Sequence, residues 1–274
     1  MGDGQAPRVG ERAPGQRARG LAWTHRTAEQ FDIYFVSNQL DSVQTVELSL
    51  RVAGRQPELW DAVTGEIRPA QDWQQENGRT RLPLRLEPSG SMFVVFRQPT
   101  TQTAAHTGPN WLTTTAAQPL SGPWQVQFDP KAGGPAQPVA FAQLTDWSKH
   151  ADAAIRHYSG TADYTQTFRW KTKKKSGQRV FLELGQVNNL AEVELNGQSC
   201  GVAWTAPYRV DITEAVRKGD NQLRLRVTNT WANRLIGDAA LPAEQRRTSL
   251  TTPPAPAATK PLLPAGLLGP LVIS

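Results

Sequence analysis

Residues 43–52 read Val-Gln-Thr-Val-Glu-Leu-Ser-Leu-Arg-Val, a stretch in which apolar and polar side chains alternate. One face of the stretch is apolar and the other mixed; the apolar face is made of Val46, Leu48, Leu50 and Val52, and the mixed face of Val43, Thr45, Glu47, Ser49 and Arg51. A period of two residues is that of a β-strand with one buried face. The stretch therefore predicts a half-buried strand, and it indicates the fold class of the first half of the chain.

Similar short apolar runs lie on both sides of this strand, at residues 31–36, 79–86 and 91–96, separated by turn residues. The sequence from Asp61 to Glu66 is typical of a hairpin turn. Gly65 stands at the position of this turn that needs a left-handed backbone. No stretch between residues 21 and 97 has the period of a long helix. We expect residues 21–97 to form a compact antiparallel β-sandwich of about five to seven strands.

A second β-unit is predicted after a stretch rich in Thr, Gln and Pro, residues 98–110, which we interpret as a linker. Residues 111–274 contain further short apolar runs and end in an irregular tail rich in Ala, Pro and Thr. Residues 1–20 are rich in Gly, Pro and Arg and contain no apolar segment of the kind found in a signal peptide, so a disordered leader is expected. The predicted fold class is all-β, with two antiparallel β-sandwich domains.

Composition excludes several classes of protein. The net charge of +6 is concentrated in residues 1–20, in residues 171–175 and beyond residue 239. A nucleic-acid-binding domain spreads its basic residues over a folded face, so no nucleic-acid partner is expected. Cys200 is the single cysteine of the sequence, which excludes an internal disulfide and a site with several cysteine ligands. No apolar run approaches the roughly 18–20 residues of a membrane span, so no membrane partner is expected.

Spaced motifs in the second unit resemble a known domain. They are Tyr-Ser-Gly-Thr-Ala-Asp-Tyr at 158–164, Leu-Asn-Gly-Gln-Ser-Cys-Gly at 195–201, Trp-Thr-Ala-Pro-Tyr at 204–208, Asp-Ile-Thr at 211–213 and Gly-Asp-Asn at 219–221. This series is similar to the sugar-binding, galactose-binding-like jelly roll of family 2 glycoside hydrolases. The resemblance implies that the second sandwich is a jelly roll and that its ligand is a carbohydrate.

Motifs from both ends of the chain widen the resemblance. Residues 227–238 and 266–270, with residues 23–26, 32–38 and 56–66 of the first unit, resemble the C-terminal region of the α-L-rhamnosidases of glycoside hydrolase family 106. In that family the catalytic carboxylates lie in an N-terminal barrel, and the reaction inverts the anomeric centre, which requires an acid and a base on opposite sides of the bond. A barrel takes about 250 residues, so this chain is expected to lack one and to be inactive alone.

The resemblance implies an accessory region that binds oligosaccharides from plant or microbial polysaccharides, with the missing catalytic domain as a further partner. Parent enzymes of this kind are periplasmic or secreted, whereas the sequence leaves the location of this chain unknown. Two alternatives stay open at this point. One is a free-standing, lectin-like carbohydrate-binding protein, and the other is an inert remnant of a truncated gene.

The sequence predicts no catalytic residues. Its candidate carboxylates lie on separate predicted strands with no spacing that pairs two of them, namely Asp163, Glu183, Glu194, Asp211 and Asp238. It contains no phosphate-binding loop, Ser/His/Asp constellation or metal motif, so no metal site and no cofactor are assigned. A structural Ca²⁺ occurs in some jelly rolls of this kind, but its ligands cannot be identified from the sequence.

The best candidates for carbohydrate binding follow the last core strand and the crossing segment before it: Trp204, Tyr208, Asn229, Trp231, Asn233 and Arg234. An indole face stacks on the C–H groups of a pyranose, while guanidinium and amide groups bond hydroxyls. We expect these side chains to converge at one end of the second sandwich. In the alternative interpretation, Trp231 packs against a neighbouring domain and Arg234 holds a loop in place.

Overall fold

The computed structural model of the protein describes residues 8–9, 19–171, 178–249 and 258–274. These residues form β-strands with two short α-helices, which confirms the predicted all-β class. The chain divides into two compact units, Met1–Thr113 and Thr114–Ser274, and each has its own hydrophobic core. Within the described ranges, no helix is long and apolar enough to cross a membrane.

The first unit contains ten strands in its described residues. Eight of them begin within residues 21–97, one more than the upper bound of the predicted five to seven, because some are too short to show a period. The ten strands are β1 (Arg8–Val9), β2 (Leu21–Thr27), β3 (Asp32–Asn38), β4 (Gln44–Leu50), β5 (Arg55–Asp61), β6 (Ile67–Pro69), β7 (Asp72–Glu76), β8 (Arg79–Leu86), β9 (Ser91–Pro99) and β10 (Ala104–His106). One sheet has the order β1-β4-β8-β7-β10 and the other β2-β3-β9-β5-β6. The β1–β4 pair is parallel.

Strand β4 shows why the sandwich closes. Its apolar residues Val46 and Leu48 are buried and lie opposite Leu84 and Leu82 of β8, on the same face of the sheet. That face shares one core with residues of the second sheet, Phe96 among them. The alternation of residues 43–52 therefore marks a half-buried strand, as predicted, since every second side chain lies in the core between the two sheets.

The prediction that residues 98–110 form a linker is wrong. Strand β9 continues to Pro99, and β10 pairs with β7 within the first unit. Asn110 is buried, and its side chain accepts hydrogen bonds from the backbone N–H of Gln71 and Asp72. The polar composition of the segment does not imply an absence of structure, because an Asn side chain can satisfy backbone groups in place of a neighbouring strand.

The predicted disordered leader, residues 1–20, lies largely outside the described residues, apart from β1 and the turn at residues 19–20. The irregular tail predicted for residues 239–265 is described only in part. Beyond it, Gly266–Gly269 and Leu271–Ile273 are strands of the second unit rather than a loose end.

The second unit is the predicted galactose-binding-like jelly roll. Its strands are β11 (Gln118–Leu120), β12 (Trp124–Phe128), β13 (Val139–Phe141), β14 (Thr161–Trp170), β15 (Phe181–Glu183), β16 (Gln186–Asn188), β17 (Leu190–Leu195), β18 (Gln198–Ala203), β19 (Arg209–Asp211), β20 (Gly219–Thr228), β21 (Gly266–Gly269) and β22 (Leu271–Ile273). Its helices are α1 (Ala153–Arg156) and α2 (Ala232–Ala239). The main sheet has the order β13-β12-β14-β20-β17-β18; the others are β11-β22-β15-β19 and β16-β21.

The core of this unit is aromatic. Trp124, Phe128, Trp147 and Tyr164 are fully buried, and their rings meet mainly edge to face. Gly266 lies against this cluster with a φ of +91°, and a Cβ there would come within 2.5 Å of the Trp147 indole. The glycine is therefore needed twice, for the left-handed backbone and for the close approach of β21 to the core.

Candidate functional site

One end of the six-stranded sheet gathers the predicted binding residues. The register aligns Ala203 of β18 with Ala191 of β17, Val227 of β20 and Ala162 of β14. Segments that follow β18 and β20, and the segment that precedes β14, therefore leave the sheet at the same end. We call this end the rim, and define it as residues 157–160, 204–208 and 229–238.

Trp204 and Tyr208 border the loop that leaves β18 and enters β19. The Trp204 side chain is 55% exposed. Tyr208 is half-buried, has a φ of +51°, and donates its backbone N–H to the carbonyl of Thr205. Since β18 and β20 are separated by one strand, this loop and the segment after β20 emerge about 10 Å apart. That distance is within the span of a di- or trisaccharide.

Asn229 holds the rim together. Its side-chain oxygen accepts the backbone N–H of Gly160 at 2.9 Å, and its Nδ2 donates to the carbonyl of Tyr158 at 2.8 Å. These bonds connect the segment after β20 with the segment before β14. The amide is thus engaged in shaping the rim.

Trp231 lies at the start of α2 and is the most exposed of the large apolar side chains in the second unit, at 70%. The backbone N–H of Leu235 donates to its carbonyl, which closes the first turn. The chain therefore turns into a helix after β20 instead of ending as an extended strand. The described residues of the second unit therefore leave most of the indole uncovered.

Asn233 requires a correction. It is 2% exposed, and its side chain exchanges two hydrogen bonds with the backbone of Leu263, donating to the carbonyl at 2.7 Å and accepting the N–H at 2.8 Å. A side chain buried in this way cannot reach a ligand at the surface. Its role is to fasten the segment that precedes β21, and its prediction as a sugar-binding residue is wrong.

Arg234 and Asp238 lie one turn apart on α2, with 3.9 Å between Nη1 and Oδ1. This is too long for a hydrogen bond. Asp238 is instead held through Oδ2, which accepts the backbone N–H groups of Arg247 and Thr248 and the Thr248 hydroxyl at 2.9, 2.7 and 2.7 Å. Oδ1 of Asp238, and Nε and Nη2 of Arg234, are sealed from solvent and have no hydrogen-bond partner among the described residues.

The charges around this pair are only partly balanced. Burial lowers the pKa of Arg234, Asp238 opposes that effect, and Arg247 adds to it. Burial also lowers the pKa of His157, as do Arg156 and Arg234, which favours the neutral imidazole. The sequence signal for the Arg234–Asp238 pair is their spacing of four residues, which is that of one helical turn.

The remaining candidate carboxylates do not belong to the rim segments. On the outer face of the main sheet Asp163 accepts from Arg224 at 3.1 Å, and Glu194 lies 3.9 Å from the same guanidinium. Glu183, on β15, accepts hydrogen bonds from two hydroxyls. Burial alone would raise the pKa of Asp211, but hydrogen bonds from Thr213, together with Arg179, lower it. Among the residues that the structure describes, no three His, Cys, Asp or Glu side chains group as metal ligands.

Family models match two parts of the chain. Residues 11–74 match the model described as alpha-L-rhamnosidase. Residues 146–255 match the model described as the Glycosyl hydrolase 2 galactose-binding domain-like family. The second match contains the whole rim.

Individual proteins extend these matches. The chain is 38% identical to the rhamnosidase from Novosphingobium sp. PP1Y, with a TM-score of 0.85 over 96% of this chain and 24% of that one. It is also 43% identical over 129 residues to the protein named "Putative beta-glucuronidase" of Formosa agariphila, a match covering 47% of this chain and 11% of that protein. The chain thus spans about a quarter or less of the length of the relatives that it matches.

These findings confirm the resemblance to glycoside hydrolases in both units. The chain is thus similar to α-L-rhamnosidases over residues 11–74 and to the galactose-binding-like domain of family 2 glycoside hydrolases over residues 146–255.

Proposed function

We propose that this chain is the carbohydrate-binding accessory region of an α-L-rhamnosidase-type glycoside hydrolase and has no hydrolytic site of its own. The observation that carries the proposal is the match to a rhamnosidase over 96% of this chain but only 24% of that enzyme. A region of this extent leaves most of the enzyme, including room for a catalytic barrel of about 250 residues, outside the matched part.

The charge environment supports a role other than hydrolysis. An inverting glycosidase needs one carboxylic acid that stays protonated and a second carboxylate across the bond. In the second unit, Arg179 and the Thr213 hydrogen bonds lower the pKa of Asp211. Glu192 and Asp163 are each within hydrogen-bonding distance of an arginine. For Asp211, the Thr213 and Arg179 contacts favour the ionised carboxylate and disfavour a role as general acid.

The rim supports sugar binding. Trp124, Trp147 and Trp170 are buried in the core of the second unit, whereas Trp204 and Trp231 are 55% and 70% exposed. An exposed indole contributes little to folding, but it offers a flat apolar face to a pyranose ring. Because few side chains take part, the affinity is expected to be millimolar, corresponding to about 4 kcal/mol.

The test combines a binding and an activity measurement on the whole chain. We expect rhamnose-containing oligosaccharides to shift the Trp231 indole resonance at millimolar concentrations, and Trp231→Ala to abolish the response. Trp23→Ala is the matched control, because Trp23 is 54% exposed but belongs to the first unit. Aryl α-L-rhamnosides and aryl β-galactosides should not be hydrolysed. A Trp231-independent response would contradict the binding site, and turnover lost on mutating Asp211 would contradict the accessory role.

The lectin-like alternative draws on the same exposed indoles. The lectin-like alternative differs in the affinity that it requires, because the chain must then bind polysaccharides tightly without a catalytic partner. Micromolar affinity for one oligosaccharide would favour it, since an accessory region can rely on the effective concentration that its tethered catalytic domain provides.

A further inference from the structure

The Arg234 side chain makes no hydrogen bond among the described residues. It is 12% exposed, and its backbone N–H donates to the Ser159 hydroxyl at 3.1 Å. Buried polar groups are almost always paired, and a guanidinium has five N–H donors to satisfy. An arginine kept in this state is thus available to an acceptor that the chain does not supply.

The two sealed and unpartnered nitrogens define the shape of that acceptor. Nε and Nη2 lie along one edge of the guanidinium, and their N–H bonds run parallel to each other. This edge matches the two oxygens of a carboxylate, which it binds side-on. Nη1, at the other edge, is the nitrogen that faces Asp238.

The charges allow an anion at that edge. Asp238 lies beside Nη1, and its Oδ2 is occupied by the backbone of Arg247 and Thr248. Arg247 adds a second positive charge that Arg234 senses. An anion placed on Nε and Nη2 would therefore lie on the side of the guanidinium away from Asp238 and would receive the field of both arginines.

Access to the edge requires the guanidinium to turn toward solvent. This breaks no side-chain hydrogen bond among the described residues, but it gives up the 3.9 Å ion pair with Asp238, and the incoming anion must offset that loss. Trp231 lies three residues earlier on the same helical turn and is 70% exposed. Residues with this spacing face the same side of a helix. A sugar ring stacked on the indole could then present a substituent to Arg234.

We propose that the rim recognises an acidic sugar: Trp231 supports the pyranose ring of a uronic acid residue, and Arg234 binds its carboxylate side-on through Nε and Nη2. This inference rests on the proposed function, since it names the class of sugar that the same rim selects. It adds a charge requirement that a general carbohydrate-binding surface lacks.

The experiment compares methyl glycosides that differ at one group. Methyl β-D-glucuronide and methyl β-D-glucoside are titrated into the whole chain, with the tryptophan indole N–H resonances as the readout. We expect the glucuronide to bind about tenfold more tightly or better, as for hydrogen bonds to a charged group. Arg234→Gln should abolish the preference, and Arg234→Lys, which keeps the charge but not the paired N–H groups, should reduce it.

Arg226→Gln is the matched control, because it removes the same charge from the outer face of the main sheet and should leave the preference unchanged. Thermal unfolding verifies that each variant is folded. Equal affinity for the two glycosides, or a full preference retained by Arg234→Gln or Arg234→Lys, overturns the inference. If neutral rhamno-oligosaccharides still bind through Trp231 in that case, the proposed function stands; if no sugar gives a Trp231-dependent response, the proposed function fails as well.

Discussion

The indole Nε1 of Trp147 donates a hydrogen bond of 2.6 Å to the hydroxyl of Tyr164, and neither side chain is exposed. The two rings are nearly parallel, with their planes 11° apart. Trp147 begins a short 3-10 turn outside the main sheet, and Tyr164 lies in the middle of β14. This bond therefore ties a loop to the centre of the core.

Tyr164→Phe tests the importance of this bond. The substitution keeps the ring and leaves the Trp147 N–H buried without a partner, so the free energy of unfolding should fall by about 1–3 kcal/mol. Urea denaturation measures the change. Tyr208→Phe is the control, because the Tyr208 hydroxyl has no hydrogen bond within the described structure, and it should change stability by less than about 0.5 kcal/mol. Equal losses would show that the bond has no special role.

Alkaline pH should destabilise the chain through its buried tyrosines. Burial raises the pKa of Tyr164 and of Tyr158. Below about pH 10 tyrosine is neutral in both states, whereas above it the unfolded chain ionises first. The unfolded state then holds fewer protons, so the free energy of unfolding falls as the pH rises. Urea denaturation at pH 8 and pH 11 should show a smaller loss for Tyr164→Phe than for the wild type, and an equal loss would contradict the assignment.

Asn221 should be among the most sensitive polar positions. It is fully buried, accepts hydrogen bonds from Asn196 and from the backbone of Arg217, and donates to the carbonyls of Arg217 and Gly219. Asn221→Ala orphans these groups and should lower the free energy of unfolding by about 2–4 kcal/mol. Gln222→Ala, at the exposed next position, is the control for the same strand. Thermal unfolding of both variants measures the difference. A loss for Asn221→Ala no larger than that for Gln222→Ala would assign the effect to strand propensity and not to the hydrogen-bond network.

Asn229 and Trp231 should separate stability from binding, although only one residue lies between them. Asn229→Ala removes the two bonds to Gly160 and Tyr158, so it should lower the free energy of unfolding by about 1–3 kcal/mol. Trp231→Ala should change it by less than about 0.5 kcal/mol, as for an exposed surface position, yet abolish the response to sugar. Calorimetry and NMR titration of the two variants make the comparison; a large loss of stability for Trp231→Ala would assign it to packing.

Much of the fold could be predicted because its signals are local. The strand Arg79–Leu86 has the bounds that the sequence predicts, and Ser91–Pro99 begins at the predicted residue. Segments without a period give no such signal. The sequence predicts a linker where the strand Ala104–His106 lies, since the pairing of this strand with β7 depends on a partner about 30 residues away and not on its own sequence.

The candidate site could be predicted only in outline. Trp204 and Trp231 reach the rim as expected and are exposed, but Asn233 is buried against Leu263. Whether a polar side chain after a strand faces solvent or a neighbouring segment depends on the segment that returns there. For Asn233 that segment lies 30 residues later in the chain, and no periodicity connects the two.

The sequence by itself determined the all-β class, most of the core strands and the resemblance to glycoside hydrolases, because alternation and turn motifs act between residues close together in the chain. Only the tertiary structure decided which side chains share the rim. The register of β18, β17, β20 and β14 brings residues 157–160, 204–208 and 229–238 to one end of a sheet. The helical turn after β20 then pairs Arg234 with Asp238 at 3.9 Å and leaves the other edge of the guanidinium without a partner. These relationships come from pairing between distant strands, which a single sequence does not specify.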